Sequence, residues 1–347
     1  HPYNRRMAVL QTTKPDPALL ARLRAMPKVE LHVHLEGATD AATVWQMAAR
    51  NGVNLPADSL EEWQSYYSFR DFTHFIEIYQ LAGGCMRTPE DFAFMTERFL
   101  EIQAEQNVRY TEAFLSASLL VEKLPSADLI AAFQEGLQRG EARFGTRCRF
   151  IPDIARHQPE TQWRVLDFVL QGREAGIFLG LGLGGIEVGY PPELFVDVFA
   201  EARRQGLHVV AHAGETDGPA SIWGALRSLR AERIGHGVRT VDDPLLVAHL
   251  VETQVPLEVN PYSNYRLKVT PEDRPHPIRA LFDAGVRVTV NSDDPPMFST
   301  DLNQEYALLA AQGFSWDELL RLNLNAADVC FLPEDEKADL RQLIADC

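Results

Sequence analysis

The stretch VELHVHLEGA, residues 29–38, alternates apolar and polar side chains and then ends its regular pattern near a glycine. Because successive side chains of a strand point to opposite faces, His32 and His34 share one face while Leu31 and Val33 share the other. The segment therefore predicts a strand with two imidazoles together at its carboxyl end. Taken alone, the pair fits a metal site and two structural polar residues about equally well.

Seven further β-prone segments follow, each bounded by turn residues and followed by a stretch that reads as helix. This alternation favours an α/β fold in which eight strands form a parallel (β/α)8 TIM barrel. A doubly wound open sheet is the alternative, but no Gly-x-Gly-x-x-Gly turn follows the first strand. The predicted strands are Val29–His34, Val108–Phe114, Arg147–Ile154, Ile177–Leu183, Leu207–Ala213, Arg233–Gly235, Pro256–Val259 and Val286–Asn291.

The connection between the first two predicted strands is unusually long, at about 70 residues where one helix and short loops are the norm. Residues 55–85 are predicted to be a helical insertion within it. There, Phe72, Phe75 and Tyr79 recur at helical spacing. Such a stripe fits a helix packed on the side of the barrel or a lid over its mouth, and the position of the connection after β1 favours the lid.

The composition, 46% hydrophobic and 24% charged over 347 residues, is that of a soluble globular protein with a large core. One domain over residues 7–347 is the simplest organisation, with residues 1–6 ahead of Met7 interpreted as an expression remnant. No apolar run approaches the roughly 18 residues that span a bilayer, and no signal-peptide order is present. We expect a cytoplasmic protein that is a monomer or weak homodimer.

The formal net charge of −16 repels polyanions, so nucleic acid and anionic membrane surfaces are not expected as partners. The cysteines are scattered and form no Cys-x-x-Cys pair, which argues against a disulfide framework and against a thiolate zinc site. A small molecule is the expected partner. The four cysteines are Cys85, Cys148, Cys330 and Cys347.

Polar residues also stand at the carboxyl ends of three later strands. The fifth strand ends in His212, with Glu215 three residues on, and the sixth delivers His236 between two glycines. The eighth is followed by Asp293 and Asp294, where two prolines stop regular structure. An isolated copy of any of these would fit a cap, a turn or a hydrogen-bonded structural residue. Strand ends of a parallel barrel share one mouth, however, so their coincidence predicts a site.

Three histidines and an aspartate without sulfur suit Zn²⁺ with a coordination position open for water, whereas Ca²⁺ and Mg²⁺ want more oxygen ligands. Four motifs, KVELHVHLEGA, HAGE, RIGHG and NSDDPP, occur in the order and at the spacing that resemble the signatures of the adenosine deaminase family. The resemblance covers nearly the whole chain. Together the four motifs are far more specific than any one of them.

The resemblance implies hydrolytic deamination of a 6-aminopurine to a 6-oxopurine with release of ammonia, and no organic cofactor. It implies one zinc ion, a general acid/base that protonates the purine ring, and a histidine that supports the attacking hydroxide. The implied metal ligands are His32, His34, His212 and Asp293, the implied catalytic residues are Glu215 and His236, and the implied substrate-binding residues are Asp294, Gly185 and Glu36.

Three positions depart from the family pattern. Glu36 stands where family members often carry an aspartate near the ribose, which leaves sugar recognition open. Ile186 and Glu187 replace an acidic pair, and Asn260 replaces a commoner cysteine. The sequence ranks adenosine and 2′-deoxyadenosine first as substrates of a purine nucleoside deaminase. The alternatives are aminodeoxyfutalosine second, then adenine or N6-methyl-AMP.

Two stretches bear on that ranking. The aminodeoxyfutalosine branch shares the style of NSDDPPMFSTDL but usually lacks an acid at the position of Glu36, and the adenine branch tends to continue SDDP with a glycine-rich run. Outside the family, a two-metal hydrolase is disfavoured because GIFLGLGLGG has no lysine to bridge metals. A cytidine-type zinc deaminase is disfavoured by the missing Pro-Cys-x-x-Cys element. A barrel without catalytic activity is disfavoured because every implied ligand is present.

Overall fold

The computed structural model describes residues 16–347, so the predicted boundary at Met7 lies outside the described residues. Eight parallel strands pair in the order of the sequence, which confirms the predicted barrel. The strands are β1 Lys28–His34, β2 Val108–Leu115, β3 Arg147–Ala155, β4 Gly180–Gly184, β5 His208–Ala213, β6 Arg233–His236, β7 Leu257–Val259 and β8 Val288–Val290.

The barrel closes between β8 and β1 through residues just beyond the end of β8. The N–H of His34 donates to the carbonyl of Asp293 at 2.9 Å, and the N–H of Asp293 donates to the carbonyl of His32 at 3.1 Å. Below them, the N–H of Leu31 donates to the side-chain oxygen of Asn291 at 2.9 Å. A side chain thus takes the place of a backbone partner, and the last strand is shorter than its apolar run predicts.

The fourth strand also begins later than predicted. Ile177 and Phe178 contact β3 only through an isolated bridge from Phe178 to Phe150, and the continuous ladder starts at Gly180. Glycines at 180, 182 and 184 leave room for residues of the neighbouring strands. A Cβ at Gly182, for example, would lie only 2.8 Å from the Cβ of Asp153. These three positions of β4 therefore contribute no side chains, and neighbouring residues such as Asp153 occupy the space.

Helices follow the strands around the outside, with N-caps such as Asp40, whose carboxylate accepts from the N–H of Thr43. No helix among residues 16–347 is long and apolar enough to cross a bilayer. The helices are α1 Pro17–Ala25, α2 Ala41–Asn51, α3 Leu60–Tyr67, α4 Phe72–Cys85, α5 Pro89–Glu105, α6 Ala117–Leu120, α7 Ser126–Phe144, α8 Gln162–Glu174, α9 Val196–Arg204, α10 Pro219–Gly224, α11 Pro244–Thr253, α12 Pro261–Arg266, α13 Ile278–Asp283, α14 Pro295–Phe298, α15 Leu302–Ala311, α16 Trp316–Val329 and α17 Glu334–Ala345.

The long β1–β2 connection contains α2 to α5. In α4, Phe75 stacks on Phe298 at 4.9 Å between ring centroids, and Phe298 ends the short helix after β8. The hydroxyl of Tyr79 lies 2.7 Å from that of Ser116, directly after β2. Both contacts are with segments that follow strands, so α4 lies at the carboxyl rim of the barrel. That position fits a lid, and its movement remains a prediction.

Candidate active site

Three imidazoles and a carboxylate meet at the carboxyl end of the barrel. The Nε2 atoms of His34 and His212 lie 3.1 Å apart. The Oδ1 atom of Asp293 lies 3.4 Å from Nε2 of His34 and 3.6 Å from Nε2 of His32. The three strands β1, β5 and β8 therefore bring together the four side chains that the sequence predicts as metal ligands.

The arrangement of these atoms fits a bound metal ion. In a tetrahedral site with bonds of about 2.0–2.2 Å, the ligand atoms lie roughly 3.3–3.6 Å from one another, close to the separations given above. The Nε2 atom of His32 is buried and has no hydrogen-bond partner, which is costly unless a ligand completes it. Burial lowers the pKa of His34 to about 4 and holds that of His212 well below its ordinary value, so both imidazoles have the neutral form that metal ligation requires. Burial also acts to lower the pKa of His32, but hydrogen bonds to Asp293 and Glu258 outweigh it and raise that pKa to about 9.

A buried charge network supports His32 from below. Nδ1 of His32 lies 2.9 Å from Oε2 of Glu258 on β7, and Oε1 of Glu258 lies 2.6 Å from Nε of Arg233 on β6. The same guanidinium reaches Glu112 on β2 at 2.5 Å and lies against the ring of Phe331. A carboxylate on Nδ1 fixes the imidazole tautomer so that Nε2 faces the metal position.

Glu215 lies on the loop after β5, on the other side of the metal position. Its carboxylate is 3.7 Å from Nε2 of His236, which in turn is 3.9 Å from Oδ2 of Asp293. Burial raises the pKa of Glu215 to about 8, and the charges of Asp293 and Glu187 add to that effect. A carboxyl that keeps its proton near neutral pH, beside a metal position, has the character of a general acid.

The orientation of His236 is fixed by two asparagines. The side-chain amides of Asn260 and Asn264 each lie 3.2 Å from Nδ1 of His236, and His276 holds Asn264 at 3.1 Å. With Nδ1 accepting, the proton of the neutral ring sits on Nε2 and faces the site. Asn260, for which the sequence offers no role, is therefore part of the support of a site residue.

His236 and Asp293 share an unusual backbone conformation. Their φ angles are 61° and 65°, in the left-handed region that residues other than glycine rarely adopt. Such strain is maintained only where the surroundings fix it, and it is concentrated at functional sites. Their side chains lie 3.9 Å apart, from Nε2 of His236 to Oδ2 of Asp293.

Asp294 turns away from the metal ligands toward Gly37. Burial holds the pKa of Asp294 well above its ordinary value, and the adjacent charge of Asp293 adds to the increase. A Cβ on Gly37 would lie 1.6 Å from Oδ1 of Asp294, so only glycine leaves space for this carboxyl. Oδ1 itself is buried without a hydrogen-bond partner.

Glu36 forms the wall of the site beneath α4. One oxygen accepts the N–H of Ser116 at 2.9 Å, and the other, Oε2, is buried without a partner. Burial raises the pKa of Glu36 to about 6, which the nearby charge of Lys123 partly offsets. Tyr79 is half-buried, and desolvation together with the charges of Glu36 and Asp294 holds its pKa well above the ordinary value.

Beyond Tyr79 lies a cavity of about 890 Å³. Its wall includes the end of α4 and the segment after β2, with Lys123 and Arg87 as cations. The ammonium of Lys123 donates to the carbonyl of Gly83 at 2.8 Å, which leaves further donors for another group. Tyr79 lines this cavity, and its hydroxyl contacts that of Ser116, whose N–H bonds to Glu36.

Gly185 follows β4 with a φ of 80°, a conformation that suits glycine. The preceding residue, Gly184, faces Asp153 at the end of β3: a Cβ at 184 would lie 2.4 Å from Oδ2 of Asp153. Asp153 reaches within 4.8 Å of ligand atoms of His34 and His212. Burial raises its pKa well above the ordinary value, and the charge of Glu36 adds to this.

The structure thus brings eight of the nine predicted site residues together at the mouth of the barrel, with Gly185 just beyond the end of β4, and it adds residues to which the sequence assigns no role in the site. Asp153 offered one signal, a lone acid in the apolar run of β3. Tyr79 is marked in the sequence only by its aromatic stripe, and Glu187 and Asn260 only as departures from the family pattern. The remaining additions are polar residues whose partners are distant in sequence, and no local pattern marks them: Ser116, Arg156, Arg233, Glu258, Asn264 and Lys123.

The family model described as adenosine deaminase matches residues 27–347, nearly the whole described chain. This chain belongs to the adenosine deaminase family. Among its relatives, an adenine deaminase of Bordetella avium is 39% identical over 88% of this chain and 96% of its own length. An aminodeoxyfutalosine deaminase of Streptomyces coelicolor is 40% identical over 92% of this chain and 84% of its own.

The solved structures agree with this assignment to the adenosine deaminase family. An amidohydrolase from Burkholderia ambifaria with bound zinc has a TM-score of 0.87 at 29% identity, covering 97% of this chain and 94% of its own. The chain is accordingly a purine deaminase of the adenosine deaminase family, a hydrolase acting on carbon–nitrogen bonds. The names of the relatives favour adenine and aminodeoxyfutalosine over adenosine, which the sequence ranks first.

Proposed function

We propose that this chain removes the 6-amino group of an adenine-type substrate with one zinc ion held by His32, His34, His212 and Asp293. The observation that carries the proposal is the convergence of these four side chains with Glu215 at one mouth of the barrel. When bound, zinc supplies a Lewis acid that lowers the pKa of water enough to make hydroxide available near neutral pH.

The chain's own residues would handle the protons. Glu215, whose raised pKa keeps it protonated near neutral pH, donates to a ring nitrogen and so makes the amine-bearing carbon electrophilic. His236, with its proton on Nε2, donates to the attacking oxygen. Water adds to that carbon, the amine leaves as ammonia, and the 6-oxopurine remains. The buried carboxyl of Asp294, whose pKa burial raises, would bind a second ring nitrogen.

We favour aminodeoxyfutalosine as the substrate. This compound is an adenine nucleoside whose sugar carries a benzoate-bearing side chain. The cavity beyond Tyr79 offers volume for such an extension, and Lys123 and Arg87 in its wall offer positive charge for a carboxylate. The relative of that name is 40% identical over most of the chain. The unpartnered oxygen of Glu36 would accept a hydrogen bond from a hydroxyl of the sugar.

Free adenine is the second candidate, and Glu36 is again the reason. Adenine carries a ring N–H that its nucleosides lack, and the buried Oε2 of Glu36 is an acceptor without a donor. The adenine deaminase of Bordetella avium is 39% identical to this chain. On this alternative the Lys123 cavity has no part in binding.

A deamination screen with the zinc-loaded enzyme tests both the reaction and the substrate. Aminodeoxyfutalosine, adenine, adenosine, 2′-deoxyadenosine and N6-methyl-AMP are compared by kcat/KM, with Glu215→Gln as the catalytic control. We expect aminodeoxyfutalosine to lead and Glu215→Gln to lose several orders of magnitude of turnover with zinc retained. Preference for adenine would select the second candidate, and failure on all five would overturn the proposed function.

A further inference from the structure

The turn after β5 is held by one carboxylate from another strand end. Oε1 of Glu187 accepts the N–H of Gly214 at 2.5 Å, and Oε2 accepts those of Glu215, Thr216 and Asp217 at 3.1, 2.9 and 3.0 Å. Four consecutive backbone donors therefore converge on a side chain that is only 4% exposed. The turn that they form is the one that carries Glu215.

This arrangement requires an ionised carboxylate. Consecutive N–H groups that point to one spot form a concave site for an anion. Burial works to raise the pKa of Glu187, but the hydrogen bonds from Ser221, Asp217 and Gly214 outweigh it, and the pKa lies below its ordinary value. Without this side chain, four buried or half-buried donors would lose their common acceptor.

The segments that follow β3 and β4 make a second contact with the end of β5. Gly185, two residues before Glu187, follows the end of β4 at an exposed position, and a Cβ built on it would lie 3.4 Å from the backbone nitrogen of Arg156 after β3. The guanidinium of Arg156 donates to the carbonyl of His212 at 2.5 Å and to that of Tyr190 at 2.7 Å. The ends of β3 and β4 thus hold the end of β5 on both sides of the HAGE motif.

We propose that Glu187 is a positioning residue that fixes the direction of the Glu215 carboxyl by holding its turn. The inference rests on the proposed role of Glu215 as general acid/base. The carboxylate of Glu215 stands 3.7 Å from His236, and a rotation of the turn would change that separation directly. Displacements of about 1 Å in reacting groups cost on the order of 10²-fold in rate.

Glu187→Gln is the decisive variant, because it keeps the size of the side chain but offers an NH₂ group to N–H donors. Its kcat on the best substrate of the screen should fall by about 10²-fold, with KM changed less than about threefold and zinc content unchanged. Affinity for the 6-oxo product, measured by calorimetry, should also stay near that of the wild type. Glu193→Gln is the matched control: it removes an exposed carboxylate on the same β4–β5 connection, which accepts from the hydroxyl of Ser228.

A double-mutant cycle separates positioning from general support of the fold. If Glu187 acts through Glu215, Glu187→Gln should lower the residual rate of Glu215→Gln by less than about threefold. An equal loss in both backgrounds would overturn the inference, as would near-normal kcat in the single variant. Should Glu187→Gln fail to fold, Glu187→Asp, which keeps the charge one carbon further back, is judged by the same two criteria. An inactive wild type would instead refute the proposed function.

Discussion

Nδ1 of His32 lies 2.9 Å from the carboxylate of Glu258, and neither side chain is exposed to solvent. The pair links the first strand to the seventh and leaves Nε2 of His32 facing Asp293. Because Arg233 holds the other oxygen of Glu258, the carboxylate has little freedom to move. The orientation of the first histidine is therefore set by residues more than 200 positions away in sequence.

Replacing Glu258 should weaken metal binding. In Glu258→Gln the charge that supports His32 is lost. We expect the zinc Kd to rise about 10- to 100-fold, which is typical when a residue hydrogen-bonded to a metal-binding histidine is replaced. Competition with a chelator measures this. Glu232→Gln is the matched control, because Glu232 makes the same kind of contact, 3.0 Å to His208, at an exposed position. Equal zinc Kd values for both variants would contradict the assignment.

The two adjacent aspartates should respond differently to truncation. Asp293→Ala removes a proposed ligand and should lower zinc occupancy after dialysis. Asp294→Ala should retain zinc and lose rate, because Asp294 points toward Gly37 and not toward the histidines. Metal analysis alongside kcat distinguishes them, and the reverse pattern would mean that their roles are exchanged.

Gly37→Ala should inactivate the enzyme without removing the metal. The added Cβ would lie 1.6 Å from Oδ1 of Asp294, so this carboxyl must move, and we expect kcat/KM to fall by about 10²-fold or more. Zinc content should be unchanged. Gly84→Ala, in α4, is the control, since a Cβ there has no neighbour within 4 Å. Wild-type activity in Gly37→Ala would show that Asp294 takes no part in the reaction.

Glu36→Gln should raise KM more than it lowers kcat. The variant replaces one charged acceptor in the wall of the site, and charge-assisted bonds of about 1.5–3 kcal/mol correspond to roughly 10- to 100-fold in binding. Steady-state kinetics on the preferred substrate provide the test. Glu122→Gln is the control, because Glu122 lines the cavity but is paired with the exposed Arg164. A KM equal to that of the wild type would exclude Glu36 from substrate binding.

Stability should rise with pH through the titration of Lys28. Its ammonium donates to the carbonyls of Met26 and Gln106 at 2.8 and 2.9 Å, yet burial lowers the pKa of Lys28 from 10.5 to about 7. Between these values the unfolded chain holds a proton that the folded chain has released. The unfolded state therefore binds more protons, and the free energy of unfolding increases with pH across this window, whereas below about 7 the contribution is constant.

Lys28→Met removes this dependence. From pH 7 to 10, the free energy of unfolding of the wild type minus that of the variant should rise by up to about 1.4 kcal/mol per pH unit. Denaturant unfolding at a series of pH values measures the difference. The exposed Lys268→Met serves as the control. Parallel pH profiles for wild type and Lys28→Met would show that the buried amine stays charged.

The fold and the centre of the site could be predicted because both depend on local patterns. Alternating residues in β1 and polar residues at strand ends are visible in short windows of sequence, and the barrel topology then brings His212 and Asp293 to His32. The supporting residues could not be predicted in the same way. Glu187 and Asn260 matter through partners on other strands, and a lone acid or amide in a loop carries no pattern that names its partner.

The strand boundaries show the same limit. Apolar content predicts β8 from Val286 to Asn291, but the strand spans only Val288–Val290. Toward β1, the side chain of Asn291 takes the place of a backbone acceptor. Likewise, the aromatic spacing in α4 predicts a helix but not the side of the barrel that it covers. The contacts of Phe75 with Phe298 and of Tyr79 with Ser116 locate it at the mouth.

The seam between β8 and β1 also governs when the site can exist during synthesis. Leu31 and Asn291, which bond across it, are separated by 260 residues, so a ribosome must release most of the chain before the first strand meets the last. Contacts of such long sequence separation form late in folding. A nascent chain would thus present His32 and His34 without Asp293, and zinc capture would come only after translation of the eighth strand.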